Sequence, residues 1–326
     1  MAILPDLAHS FLEDLHEAGR SKLTLKQYES DLKKFFSWLE AQQKKNDMDT
    51  LKALRKDDIQ QYFVYLHNKK LSHATIRRLA TVLSRFLKYH QCVAAHDIHK
   101  LSHTAPLRSL TNNDFIENNE FNKLIHTIKL RYSEATGKKA ARNFLVERNA
   151  AIASLIRAFG LTPTEVYAIN MNHINLSQGE LSIPFGTTMK KFAVESKIMD
   201  DIRKYFYSIP QLFRPRYHSQ DPLFVAFNNI SLSFQYDYDR QKPKALSVRA
   251  IQEMIKDEVK RAGLRKISAV TLRNTAILEE IQLGKTDEYI MERFSLTSEA
   301  ALRRYKQYLL SLDQETPSTQ TKKAEG

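Results

Sequence analysis

Residues 263–305 read GLRKISAVTLRNTAILEEIQLGKTDEYIMERFSLTSEAALRRY. Ile277, Leu278 and Ile281 recur at helical spacing and would line a core. Gly284 would end that helix, and Tyr289 to Phe294 would form the next. Two residues stand out chemically. Arg273 follows Leu272 near a helix start, and a guanidinium there is a ready ligand for phosphate oxygens. Tyr305 follows Arg304 and carries a hydroxyl able to donate or accept a hydrogen bond. Each has a plainer reading as well. Arg273 could be a structural residue at a helix start, and Tyr305, among Leu302, Leu309 and Leu310, could be a packed aromatic.

A chain of 326 residues predicts two domains, and an apolar content of 42% is enough to give each a core. Lysine and arginine number 50 against 37 aspartates and glutamates, a formal net charge of +13. An excess of that size attracts polyanions, of which nucleic acid is the usual one. Cys92 is the single cysteine, which excludes an intramolecular disulfide and a cysteine-built zinc site and suits a reducing cytoplasm. Nothing in the composition calls for a metal or cofactor. The first fifteen residues, MAILPDLAHSFLEDL, do not read as a signal peptide, and no apolar run reaches membrane-spanning length. The expected location is therefore cytoplasmic, on the nucleoid, with no membrane partner.

The N-terminal third reads as four helices. The first spans 7–18 with Leu7, Phe11, Leu12 and Leu15 on one face. The second runs from Leu25 to Ala41 behind Thr24 as N-cap, with Lys22 beside it and Tyr28, Leu32, Phe35, Phe36 and Leu39 as its stripe. A polar link from Gln42 to Thr50 leads to a third helix, Ile59 to Leu66, capped by Asp57 or Asp58. Ser72 caps the fourth, from about Ala74 to His90. Its apolar face is Ile76, Leu79, Leu83, Phe86 and Leu87; Arg77, Arg78, Thr81, Arg85 and Lys88 form another. Most such faces are simply solvated. This one lacks any acidic residue from Leu71 to Gln91, and residues 1–105 carry 17 basic residues against 12 acidic ones, so it is a candidate DNA-binding face.

Residues 99–114 lack apolar periodicity and contain Pro106, and a linker is read here, bounded at 106–116. The second domain, 117–312, opens with helices near 117–131 and 144–159, separated by a basic loop at Ser133 to Ala141. Two strand-like runs follow, Glu180 to Phe185 and Phe192 to Ile198, joined through Gly186 to Lys191. Residues 200–207 are helical and Pro222 to Phe227 extended. Ser247 caps a helix running to Ala262, and its free N–H groups, with Arg249, favour phosphate. Residues 313–326 are polar and read as a disordered tail. The fold class is mainly α with a small β-sheet.

The quoted stretch resembles the C-terminal block of the tyrosine recombinases, the integrase and Xer family. That family reads H-x-L-R-H-[ST], then L-G-H, then R-Y; here stand Val270-Thr271-Leu272-Arg273-Asn274-Thr275 and Arg304-Tyr305. The N-terminal part resembles the same family's helical core-binding domain through Ser21 to Leu39, Asp58 to Tyr62 and Leu71 to Arg78. The resemblance covers about residues 7–310. It implies a two-domain fold, domains that clamp opposite faces of duplex DNA, and chemistry in which a tyrosine attacks a phosphate held by two arginines, histidines and a hairpin lysine. Fixed cations must surround a phosphoryl group that gains charge in the transition state.

The residues depart from that pattern. The first arginine of G-L-R-x-x-E-[LV] is Thr162, inside Gly160-Leu161-Thr162-Pro163-Thr164-Glu165-Val166, and Arg157 is a distant candidate substitute. The histidine positions hold Val270 and Leu296. Counting back from Phe192 puts the lysine position at Thr187, and Lys190 and Lys191 are the candidates close by, because hairpin turns slide easily. Arg273 and Tyr305 remain. Removing one preorganised donor from such a site costs about 10²–10³ in rate, so the expectation is a catalytically inactive scaffold. The leading reading is a sequence-specific double-stranded DNA-binding protein of the transcriptional repressor kind, meeting operator sites through the N-terminal face and through Lys190, Lys191, Ser247, Arg249, Arg273 and Asn274. Self-association, or a regulatory protein that relieves repression, would complete it. The alternatives are an active recombinase using Tyr305 and an architectural DNA-binding accessory factor.

Overall fold

The computed structural model describes residues 4–102, 108–132 and 137–315. The chain divides into two compact units, 1–108 and 109–326. In the first lie α1 (Asp6–Glu17), α2 (Lys22–Ala41), α3 (Met48–Ala53), α4 (Lys56–Asn68), α5 (His73–Tyr89) and α6 (Ala95–Ser102). The stripes predicted for these helices converge on one core. Phe35, Phe36, Tyr62 and Phe86 are each no more than 1% exposed, and Phe35 meets Tyr62 edge-on at 5.2 Å. Edge-to-face rings at this spacing add to the gain from burying their area.

Several local expectations change here. Ser21, not Thr24, caps α2: its hydroxyl accepts from the Thr24 N–H at 3.2 Å, and the helix begins at Lys22. Thr24 sits in the first turn, its own hydroxyl hydrogen-bonded with that of Ser21 at 2.9 Å. Helix α4 starts three residues before the predicted Ile59, because Asp58 folds back to accept from the Arg55 N–H at 2.8 Å. The polar link contains α3, capped by Asp47, which accepts from the Thr50 N–H at 2.8 Å.

The second unit contains α7 (Asn118–Lys129), α8 (Gly137–Asn143), α9 (Val146–Phe159), α10 (Pro163–Ala168), α11 (Ser196–Ser208), α12 (Val248–Arg261), α13 (Ala269–Gln282), α14 (Asp287–Arg293) and α15 (Glu299–Glu315). Its main sheet is antiparallel in the order β1 (Ile174–Asn175), β2 (Glu180–Phe185), β3 (Thr188–Ala193). Two small pairs follow, β4 (Phe227–Asn228) with β5 (Ser233–Phe234) and β6 (Tyr236–Asp237) with β7 (Lys242–Pro243). The second strand-like run was placed too late. Pairing with β2 sets β3 at 188–193, with Ile183 opposite Lys190, and α11 begins at Ser196.

Residues 109–116, read as linker, are built into this unit. Leu110, Phe115 and Ile116 are buried, and at the 3-10 turn Asn112–Asp114 the Asp114 carboxylate accepts from the Thr111 N–H at 2.8 Å. Residues 103–107, including Pro106, lie outside the described residues, as do 133–136 of the predicted basic loop and 316–326 of the predicted tail; α8 and α15 occupy the adjoining parts. A large core gathers α7, α9, α11, α12 and β2. A smaller one joins Leu110 and Phe115 to α13, α14 and α15.

A buried polar knot fastens the larger core. The Glu258 carboxylate on α12 accepts from Arg142 at 3.2 Å and Asn149 at 3.1 Å, and lies 3.4 Å from Arg261. Arg142 also donates to the carbonyls of Thr127, Ile128 and Leu130 at the end of α7. Every buried charge there has a partner, which is the condition for tolerating it. Among the described residues, no helix is long and apolar enough to cross a membrane.

Candidate functional site

Helix α9 ends at Gly160, which takes the left-handed conformation (φ +62) that closes helices cheaply only for glycine. A Cβ there would strike the ring of Phe294, so this turn and the end of α14 are packed backbone against ring. Thr162 follows as the N-cap of α10. Its hydroxyl accepts from the Glu165 N–H at 3.1 Å, and Glu165 Oε2 accepts from the Thr162 N–H at 2.6 Å. Thr162 is thus one half of a capping box, a role complete without any ligand.

Arg273, on α13, points into this junction. Nη1 donates to the Gly160 carbonyl and lies 3.5 Å from Glu165 Oε2, and Nη2 donates to the Phe294 carbonyl. Its side chain is 14% exposed. Burial pushes its pKa down, opposed by the charge of Glu165. Arg293 is the second buried cation here and was not foreseen. It donates to the Phe159 carbonyl at 2.8 Å and lies over the Phe192 ring at 4.6 Å. The two arginines therefore satisfy consecutive carbonyls at the C-terminal end of α9, where the helix dipole favours positive charge. Its helix position, among apolar neighbours, is the only signal the sequence carries for Arg293. Arg157 is no substitute for the missing arginine, being held bidentately by Glu279 at 2.5 and 2.6 Å.

Tyr305 is 7% exposed. Its hydroxyl donates to Asn274 Oδ1 at 2.8 Å, and Asn274 in turn donates to the Asp114 carbonyl at 3.0 Å. Asn274 is buried, so the structure places this predicted DNA ligand in an internal bond. Burial pushes the Tyr305 pKa up, against the lowering effect of Arg273. Three residues on, Tyr308 stacks on Phe115 at 4.4 Å and donates to Asn112 at 2.9 Å. Val270 lies in the first turn of α13, 62% exposed. Leu296 packs against the smaller core just after Ser295, whose φ of +47 turns the chain away from α14.

The hairpin of β2 and β3 is seated on α14. The Gly186 N–H donates to the Glu292 carbonyl at 3.2 Å, and Phe185 meets Tyr289 at 5.3 Å. Lys190 Nζ lies 4.7 Å from the Phe185 ring centre and 5.7 Å from that of Tyr289, within cation–π range. Lys191 is exposed, 3.7 Å from Glu180. Ser247 caps α12 by accepting from the Ala250 N–H at 3.2 Å, and Arg249 is exposed in the first turn.

In the first unit the predicted basic face divides. Arg78 Nη1 donates to Asp31, a carboxylate 1% exposed that Lys34 also approaches at 3.2 Å. Arg85 is exposed and donates to the Tyr28 hydroxyl at 2.6 Å. Thr81, also exposed, donates to the Arg77 carbonyl at 2.9 Å, and Lys22 and Lys88 are exposed. Arg77 is half-buried. The sequence offered no sign that Asp31, 47 residues away, would take Arg78.

Residues 8–91 match the phage integrase N-terminal SAM-like domain. The tyrosine recombinase XerD of Staphylococcus saprophyticus is 26% identical over 305 residues, 88% of this chain and 92% of that protein. The TnP I resolvase of Bacillus thuringiensis is 25% identical over 206 residues, 61% of this chain and 66% of that protein. Among solved structures, the Tn1549 transposon integrase in complex with transposon right end DNA superposes with a TM-score of 0.62 at 10% identity, covering 96% of this chain and 99% of that one. The post-cleavage complex of XerH bound to palindromic difH substrate gives 0.61 at 16% identity, covering 92% and 80%. The fold is that of a tyrosine recombinase. Both units of the chain take part, since these superpositions span nearly all of it. Within this fold Arg273 and Tyr305 lie at one junction: Arg273 is on α13, Tyr305 on α15 bonds the next α13 residue, Asn274, and each influences the other's proton affinity.

Proposed function

We propose that this chain is a sequence-specific double-stranded DNA-binding protein acting as a transcriptional repressor on a recombinase scaffold that no longer cleaves DNA. The observation that carries the reading is the fate of Arg273. Its guanidinium donates to the Gly160 and Phe294 carbonyls, so the group that would hold a phosphate oxygen serves the backbone instead. Three further features support it. Thr162 is a helix cap, Val270 and Leu296 carry no proton to transfer, and the Tyr305 hydroxyl is engaged with Asn274. DNA binding is supported by the net charge of +13, by exposed Lys22, Arg85, Lys88, Lys191 and Arg249, and by relatives and neighbours that are recombinases or are bound to DNA. In length and in its pattern of lost residues the chain also looks like the master repressor of SPβ-like Bacillus phages, which points to maintenance of lysogeny.

A second reading, an active recombinase using Tyr305, is favoured by the relatives themselves, which are named as recombinases and a resolvase. Covalent trapping separates the two. Duplexes selected by the protein from random DNA are nicked within the bound site and incubated with it, then run on denaturing gels. No protein–DNA band is expected, and a Tyr305-dependent band overturns the repressor reading. A reporter driven through the selected site, silenced by the protein, distinguishes a repressor from an architectural accessory factor.

A further inference from the structure

The first unit holds a groove of about 720 Å3 between the outer face of α2 and the end of α4. Lys26, Lys33, Lys34 and Lys69 form its rim, and Tyr65 and Leu71 are part of its floor. On α2 the lining residues Lys26, Ser30, Lys33 and Ser37 recur at four, three and four residues, so they form one stripe about three turns long. Lysine stems are apolar up to the ammonium, so such a stripe presents hydrocarbon below and charge above.

The charge on the rim is only partly answered. Lys33 pairs with Glu29 at 2.6 Å, and Lys34 lies 3.2 Å from Asp31, a carboxylate already engaged by Arg78. Lys26 and Lys69 have no carboxylate within ion-pair distance among the described residues; Lys69 lies over the Tyr65 ring at 5.5 Å. The lining therefore holds four cations against one carboxylate, Glu29, beside an apolar floor.

We propose that this groove is a docking site for an acidic amphipathic helix of another protein. The inference does not depend on the repressor reading. An apolar floor with a cationic rim matches a helix with an apolar stripe and flanking carboxylates, the helix-in-groove mode of recognition. A DNA backbone is charged throughout and gains little from an apolar floor. The chain's own segments fit poorly. Residues 316–326, TPSTQTKKAEG, carry two lysines against one glutamate and no apolar stripe. The acidic α1 of a second copy has Ala8 and Phe11 buried in its own core.

The probe is a fluorescein-labelled three-turn helical peptide, hydrocarbon-stapled, with leucines at i, i+4 and i+7 flanked by glutamates. Its controls are a scramble of identical charge and a version with lysine for glutamate. Anisotropy is read with the full chain, and the double variant Lys26→Glu, Lys69→Glu serves as test because neither side chain supports the core. The acidic helix is expected to bind at least tenfold more tightly than either control. The double variant should lose at least tenfold, and a photoreactive leucine analogue should crosslink to α2 and α4. Equal binding of the scramble, an unchanged affinity in the double variant, or crosslinks elsewhere would overturn the proposal. So would a double variant that loses duplex DNA binding while the peptide fails to bind the parent, which would make the groove a nucleic-acid surface.

Discussion

The Tyr305 hydroxyl donates to Asn274 Oδ1 at 2.8 Å, which spends the proton a nucleophile would have to give up. Burial raises the pKa further, though Arg273 works against this. Tyr305→Phe keeps the ring beside Phe115 and loses one neutral hydrogen bond, a cost of about 1 kcal/mol in stability. Urea unfolding should show that loss, while affinity for a selected duplex stays within twofold. Abolished binding with the fold intact would give the hydroxyl a role beyond Asn274.

Arg273→Lys is expected to destabilise the second unit, because a single ammonium cannot reach both the Gly160 and Phe294 carbonyls in a guanidinium's fork geometry. A buried carbonyl left without a donor costs about 1–3 kcal/mol. Chemical denaturation followed by fluorescence measures it. A variant as stable as the parent that binds DNA less tightly would instead return Arg273 to phosphate contact.

Arg78 and Arg85 share a helix face but should behave differently. Arg78→Ala removes a cation from buried Asp31 and leaves Lys34 and the Gln27 amide to answer that charge, so the melting temperature of the first unit should fall. Arg85→Ala breaks one exposed bond to Tyr28 and should leave stability nearly unchanged. Its expected effect is on DNA: a loss of about 1–3 kcal/mol if it reads a base, or about one counterion of salt dependence if it meets a phosphate. Melting curves and salt titrations of both variants separate these outcomes.

Acid should weaken the second unit partly through Asp221. Its carboxylate accepts from the Arg216 backbone N–H, Nε and Nη2, each at 2.9 Å. Burial alone would raise its pKa, but the Arg216 bonds outweigh that and hold it below the ordinary aspartate range. A carboxylate whose pKa is depressed on folding stabilises fully above its unfolded value, and that stabilisation fades as pH falls through the folded value. Asp221→Asn should cost about 1–2 kcal/mol at neutral pH, a figure reduced because Arg216 is largely in solvent, and should flatten the decline of stability below the ordinary aspartate pKa. Denaturation midpoints across that acid range test it.

The helices were legible because their apolar stripes bury: Leu32, Phe35, Phe36 and Leu39 lie where the periodicity put them. Strand β3 was not, since residues 188–191 are all exposed and only pairing with β2 defines them. Thr162, Val270 and Leu296 could be named from the family resemblance, yet it carried no information about orientation. Whether Arg273 faces outward or inward depends on carbonyls 113 and 21 residues away, and whether Arg78 is free depends on Asp31. Those choices belong to tertiary packing, which a pattern along the chain does not encode.

Glu258 has a consequence for how the second unit opens. One carboxylate receives Arg142 and Asn149 and neighbours Arg261, while Arg142 also holds the last carbonyls of α7. Neither Arg142 nor Glu258 can leave without stranding the other's charge in the interior, and Arg142 also holds α7, so α7, the α8–α9 segment and α12 should open together. Native-state hydrogen exchange should then report one shared opening free energy for the protected amides of 124–130, 149–156 and 251–259, a single cooperative block rather than helices that fray one by one.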